Sequence, residues 1–82
     1  MTTKEQIKAL MVDLLSVRPE YIRDDVKLCE GIGVDSTEMV EFVIALGKEF
    51  GIKISPKEIT KYSTLNEIEK LIVAKLEQQP QQ

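Results

Sequence analysis

Few side chains in this sequence could do chemistry. Among its 82 residues there is no histidine and a single cysteine, Cys29. Without histidine the chain lacks the usual general base at neutral pH and the commonest transition-metal ligand. Acids and bases are plentiful, 14 Asp and Glu against 11 Lys and Arg. None of them, however, shows catalytic or metal-ligand spacing. The residue that stands out is Ser36, which follows Gly31-Ile32-Gly33-Val34-Asp35 and opens an apolar-striped run. No suitably placed base adjoins it in sequence to make it a nucleophile, so its hydroxyl is better suited to accept a group than to attack one. A phosphate attached there would lie against the free N–H groups of a helix's first turn. Cys29, next to Leu28, fits a small core residue. The expectation is a protein that is not an enzyme.

Ser36 needs a helix to stand on, and residues 36–50 predict one. Asp35 is a good N-cap, Glu38 sits three residues on to complete a capping box, and Gly51 is placed to end the helix. Met39, Val43, Leu46 and Phe50 follow 4-3-4 spacing and define a core-facing seam. Val40 and Ile44 form another row about 100° away, and Phe42 and Ala45 widen the apolar arc. One helix of a small bundle cannot bury its whole circumference. Either this helix is central and contacted on most sides, or Val40 and Ile44 stay exposed as a docking strip. Charge supports the second reading. Residues 1–34 hold five basic and six acidic groups, and residues 51–82 hold five and four. Residues 35–50 set Lys48 against Asp35, Glu38, Glu41 and Glu49, which is the chain's whole net charge of −3. Acids in the first turns suit the helix dipole, and they would also steer basic partner surfaces toward the helix.

The remaining elements frame that helix. Ile7, Leu10, Met11, Leu14 and Leu15 make one stripe on a helix over residues 3–16, with Thr3 and Gln6 as its capping box. Arg18-Pro19 interrupts it, and Pro19 begins a short turn holding Tyr21 and Ile22. Residues 17–35 are a long connection pinned by Val26, Leu28 and Ile32. Ser55, Pro56 and Glu58 announce a short third helix. A fourth begins at Thr64 with Glu67 three residues on, striped by Leu65, Ile68, Leu71, Ile72 and Leu76. Ile52-Lys53-Ile54 alternates but is too short for a sheet. The expected fold is all-α: a four-helix bundle of three longer helices plus a short third, with a long loop between the first two. Residues 1–77 form its single domain, and residues 78–82, Gln-Gln-Pro-Gln-Gln, a frayed tail. The acidic balance argues against nucleic acid. No apolar run reaches the roughly 18 residues of a membrane span, and no signal peptide is expected. One cysteine fits a reducing, cytoplasmic setting.

The segment from Gly33-Val34-Asp35-Ser36-Thr37-Glu38-Met39-Val40-Glu41 through Phe42-Val43-Ile44-Ala45-Leu46 to Lys48-Glu49-Phe50 closely resembles an acyl carrier protein. The resemblance extends over residues 5–76, through the long first loop, the Ile54-Ser55-Pro56 start of the third helix and the Thr64-Leu65 start of the fourth. It implies that Ser36 receives 4′-phosphopantetheine from coenzyme A through a phosphodiester. Asp35 is then the adjacent acid that helps hold Mg²⁺ while a separate phosphopantetheinyl transferase loads the arm. The arm's thiol carries acyl groups as thioesters for fatty acid, polyketide or related specialised biosynthesis. Thr37, Glu38, Val40, Glu41, Ile44 and Lys48 match positions that meet acyl-loading, synthase and transferase enzymes with basic docking surfaces. Met39, Val43, Leu46, Ile54, Ile59 and Ile68 match an interior that sequesters the acyl chain, and the protein is expected to be a monomer. Three departures suggest a specialised carrier. Thr37 replaces the usual Leu, Gly47-Lys48 replaces most of an acidic cluster, and Gly31 stands where an acid is common. Gly47 also costs about 1 kcal/mol relative to Ala inside a helix. A second reading keeps the carrier fold without the arm, as a helical interaction or structural subunit.

Overall fold

The computed structural model describes residues 2–78, and among them the only regular elements are helical. They are α1 (Thr3–Leu15), α2 (Leu28–Gly31), α3 (Ser36–Phe50) and α4 (Leu65–Gln78), with one 3-10 turn at Pro19–Tyr21 after α1. The all-α expectation holds, with three long helices and one short one. The position of the short helix does not hold. It lies at Leu28–Gly31, inside the long connection, while the segment after Ser55 forms turns.

Local chemistry accounts for both outcomes. Ser55 and Glu58 do make cap-like bonds: the Ser55 N–H donates to Glu58 Oε1 at 2.8 Å, and the Lys57 N–H donates to Ser55 Oγ at 3.2 Å. The next residues then take up their own backbone. The Thr60 N–H donates to Ser63 Oγ at 3.1 Å and the Tyr62 N–H to Thr60 Oγ1 at 3.2 Å. Such short side-chain bonds compete with helix, and one started turn without propagation does not repay the entropy of nucleation. The freed carbonyls of this segment instead serve α2. The Leu28 N–H donates to the Ser63 carbonyl at 3.0 Å and the Cys29 N–H to the Lys61 carbonyl at 2.8 Å. A four-residue helix too short to stand alone is thus held across more than 30 residues of sequence.

Helix α1 is capped one residue earlier than the sequence pattern predicts. Thr2 Oγ1 accepts the Glu5 N–H at 3.1 Å and Glu5 Oε1 accepts the Thr2 N–H at 2.8 Å. Glu5 offers a carboxylate to the positive helix end where Gln6 would offer only an amide. The α1 stripe is also narrower than expected, since Ile7 and Met11 are buried but Leu14 is exposed. Helix α4 starts as expected, with Thr64 and Glu67 bonding reciprocally. It continues through Gln78, the first residue assigned to the tail, and residues 79–82 lie outside the described residues.

Packing follows from the apolar stripes. Helix α1 contacts both α3 and α4. Ile7 and Met11 of α1 join Met39, Phe42, Val43 and Leu46 of α3 and Leu65, Ile68 and Ile72 of α4 in one core. Ile22, Leu28, Val34, Ile52 and Ile59 close it from the connections. Lys4 ties the outer side together, meeting Asp24 Oδ2 at 3.0 Å, Asn66 Oδ1 at 2.9 Å and Glu69 at 3.7 Å.

Candidate functional site

The site is built on the first turn of α3. Asp35 caps it in extended backbone geometry: its Oδ1 accepts the Glu38 N–H at 2.8 Å, and Glu38 Oε1 accepts the Asp35 N–H at 3.1 Å. The Asp35 carbonyl takes the Met39 N–H at 3.0 Å. The open donors of the first turn are therefore the N–H groups of Ser36 and Thr37. Ser36 is the first helical residue and is exposed. Among the described residues, its hydroxyl thus stands on a fixed backbone beside two donors with no bonded partner at the positive end of the helix, and no hydrogen bond links it to a base. An anionic group esterified to it would be favoured there.

Beside Ser36 opens a cleft of about 280 Å³ between α3 and the turns of residues 56–62. Met39, Val40 and Val43 form its α3 wall, and Pro56, Ile59 and Tyr62 are on the other. This is a mostly apolar slot with a hydroxyl at its mouth, a shape suited to a thin flexible chain tethered at Ser36. The Ser36 environment therefore fits a phosphate-linked arm, with open N–H donors for the phosphodiester and an apolar slot for the chain beyond the phosphate.

The sequence-matched residues separate into four places. Met39, Val43 and Ile59 line the cleft beside Ser36. Leu46 and Ile68 are closed within the core, and Ile54 is half-buried at a second groove on the far side of Val43. On the outer face of α3, Thr37, Glu41 and Lys48 are exposed and Glu38 half-buried, and Val40 and Ile44 are 44% and 53% exposed. Phe42, which could have joined that outer arc, is fully buried. The apolar surplus of α3 thus divides into a core side and an outer strip. Sequence reasoning missed Thr60, Lys61 and Tyr62 as cleft residues. Nothing local ties them to Ser36. The one available signal was the cluster of turn-forming hydroxyls at Thr60, Ser63 and Thr64 beside an aromatic.

Comparison with known proteins agrees with this geometry. A family model described as the phosphopantetheine attachment site matches residues 5–72. An acyl carrier protein of Wolinella succinogenes is 35% identical over 72 residues, covering 88% of this chain and 95% of that one. The acyl carrier protein of Campylobacter hominis is 35% identical over 68 residues, covering 83% and 86%. That of Thermosynechococcus vestitus is 36% identical over 64, covering 78% and 79%. A helical bundle matched over most of its length by the phosphopantetheine attachment site falls in the class of proteins that carry a group on an arm. The chain belongs to the acyl carrier protein family, with 4′-phosphopantetheine as its cofactor. Proteins of this kind are carriers that biosynthetic enzymes act upon, not catalysts themselves. Among the described residues, no helix is long and apolar enough to cross a membrane.

Proposed function

We propose that this chain is an acyl carrier loaded on Ser36 and recognised through the outer face of α3. The observation that carries the reading is the first turn of α3, where an exposed hydroxyl meets two open N–H donors at the mouth of an apolar cleft. In loading, Ser36 Oγ forms the new bond to the phosphorus of coenzyme A's pantetheine phosphate. The pyrophosphate bond breaks, adenosine 3′,5′-bisphosphate leaves with the electron pair, and the hydroxyl proton passes to a base of the transferase. Asp35 contributes in two ways. One carboxylate oxygen fixes the helix start, and the other has no partner among the described residues, leaving it for the metal ion that the transferase uses. The bound cofactor supplies a thiol that holds acyl groups as thioesters. Met39, Val40, Val43, Ile59 and Tyr62 shelter the tethered chain from water, while Glu41, Ile44 and their neighbours meet the enzymes. The setting is cytoplasmic, and the cargo that of fatty acid, polyketide or related biosynthesis.

The test is co-expression with a broad-specificity phosphopantetheinyl transferase, followed by intact mass. The parent should gain one phosphopantetheine and Ser36→Ala none, with unchanged helicity. An unmodified parent, or a Ser36→Ala chain modified equally well, would sink the reading.

A further inference from the structure

The outer side of α3 does not carry a single sign of charge. At about 100° per residue, Thr37, Glu41, Ile44 and Lys48 form one stripe. Glu49, the acid nearest the C-terminal end, is not on it. It lies beside Gln6, Ala9, Leu10 and Asp13, toward α1. Beyond Ile44 the stripe runs onto an open groove between α3, residues 52–55 and α4. Its apolar lining includes Val43, Ile44, Ile52 and Ile54, and its rim carries Lys48, Lys53 and Lys75 with one acid, Glu58. Lys75 is paired with Glu58 at 2.9 Å, whereas Lys48 and Lys53 have no ion pair among the described residues. Over about 10 Å of helix axis, from Glu41 to Lys48, the surface changes from acidic to basic. Ile44, 53% exposed, stands between the two ends.

We propose that this face is a bipolar docking track, complementary to an enzyme surface that is basic opposite Glu41, apolar opposite Ile44 and the groove, and acidic opposite Lys48 and Lys53. The inference rests on the carrier reading and specifies the partner's chemistry. An enzyme surface basic along its whole length gains at the Ser36 end and is repelled at the far end. Lys48 and Lys53 therefore select by exclusion as well as by attraction, which is how charged rims generally set specificity and orientation. The docking orientation is fixed as well, because only one direction of the partner brings both charge pairs together and leaves Ser36 at the acidic end.

Two synthetic amphipathic helical peptides test this. They share one apolar stripe, but one is basic at one end and acidic at the other, while the second is basic at both ends. Each is titrated into the isotope-labelled full chain with Ser36 unmodified, and affinity is read from amide chemical shifts. The bipolar peptide should bind about fivefold more tightly at low salt, the scale expected for a few exposed charge pairs, with the preference lost at high salt. Shifts should map to Val40, Ile44, Lys48 and Lys53. Lys48→Glu combined with Lys53→Glu should reverse the preference. Arg23→Glu combined with Lys70→Glu, the same charge change elsewhere on the surface, should leave it intact. Equal affinities, binding of neither peptide, or self-association of the chain through this face would overturn the proposal. Because the readout is made on unloaded protein, its failure is separate from a failure of Ser36 to accept the arm.

Discussion

Gly47 should resist replacement by alanine, although it sits in a helix where alanine is ordinarily the better residue. A Cβ placed on Gly47 would lie 2.9 Å from the Ile52 carbonyl oxygen. The chain returns this closely because the Gly47 carbonyl accepts the Gly51 N–H and, at 3.0 Å, the Ile52 N–H. The second bond is the six-to-one closure of a Schellman-type helix end, with Gly51 at φ +65° making the turn. Ile52 is buried against the core, so its backbone cannot retreat at little cost. In an open helix Gly→Ala gains about 0.8–1.0 kcal/mol. Forcing a methyl group into filled space costs about 1–3 kcal/mol. The balance is a loss of about 1 kcal/mol, which lowers the melting temperature of a domain this small by about 4–8 °C. Gly31 is the internal control, since a Cβ there meets Val26 at an ordinary 3.5 Å. Gly31→Ala should therefore be neutral or stabilising, by up to about 1 kcal/mol. Thermal denaturation followed by far-ultraviolet circular dichroism distinguishes the two. A Gly47→Ala protein that melts at or above the parent's temperature would refute the close-approach argument.

Two further predictions concern the cap and the carboxylates. Asp35→Ala removes the side chain that accepts the Glu38 N–H and should cost about 1 kcal/mol by chemical denaturation. Asp35→Asn keeps a capping oxygen, so it should preserve stability while slowing phosphopantetheine loading. Equal loading rates for the Asp35→Asn variant and the parent would remove Asp35 from that step. The pH profile is set by three carboxyls held below their ordinary values: Asp24 by the Lys4 ammonium, Glu58 by the Ser55 N–H and then Lys75, and Glu5 by the Thr2 N–H. Groups lowered in this direction contribute stability above their ordinary values, 3.8 for Asp and 4.5 for Glu, and lose it as pH falls through the depressed ones. Lys4, raised above 10.5 chiefly by its bond to Asp24, loses its contribution as pH rises past that raised value. The melting temperature should hold near neutrality and fall at both extremes. A profile that stays flat roughly a unit below 3.8 would contradict this.

The sequence made the framework of the candidate site legible where its determinants are local. Asp35 with Glu38, Thr64 with Glu67, and Gly51 at the end of α3 each act within three or four residues, and each appears where pattern alone puts it. Reading failed where two local options compete or where the partner is remote. Thr2 with Glu5 won over Thr3 with Gln6 because a carboxylate is the better reciprocal cap. Ser55-Pro56-Lys57-Glu58 has a helix-start pattern, but the hydroxyls of Thr60 and Ser63 capture the next donors. Helix α2 had no local signal at all, since its first N–H groups are satisfied by carbonyls of Lys61 and Ser63.

Charge shows the same limit in another form. Summed along the chain, residues 35–50 carry −3, and the obvious inference is an evenly acidic docking helix. A partner, however, meets a face rather than a segment. Asp35 and Glu38 spend part of their charge on the helix start, where the dipole and the reciprocal cap hold them. Glu49 turns toward α1, and Lys53 arrives beside Lys48 from outside the segment, while Lys75 there is paired with Glu58. Gly47 makes that arrival possible: without a side chain there, the Ile52 backbone can come against α3 and bring Lys53 to the groove. The glycine that weakens the helix by its propensity is therefore also the residue that adds Lys53 to the basic end that Lys48 begins. Replacing it should disturb docking at the Lys48 end before it disturbs loading at Ser36.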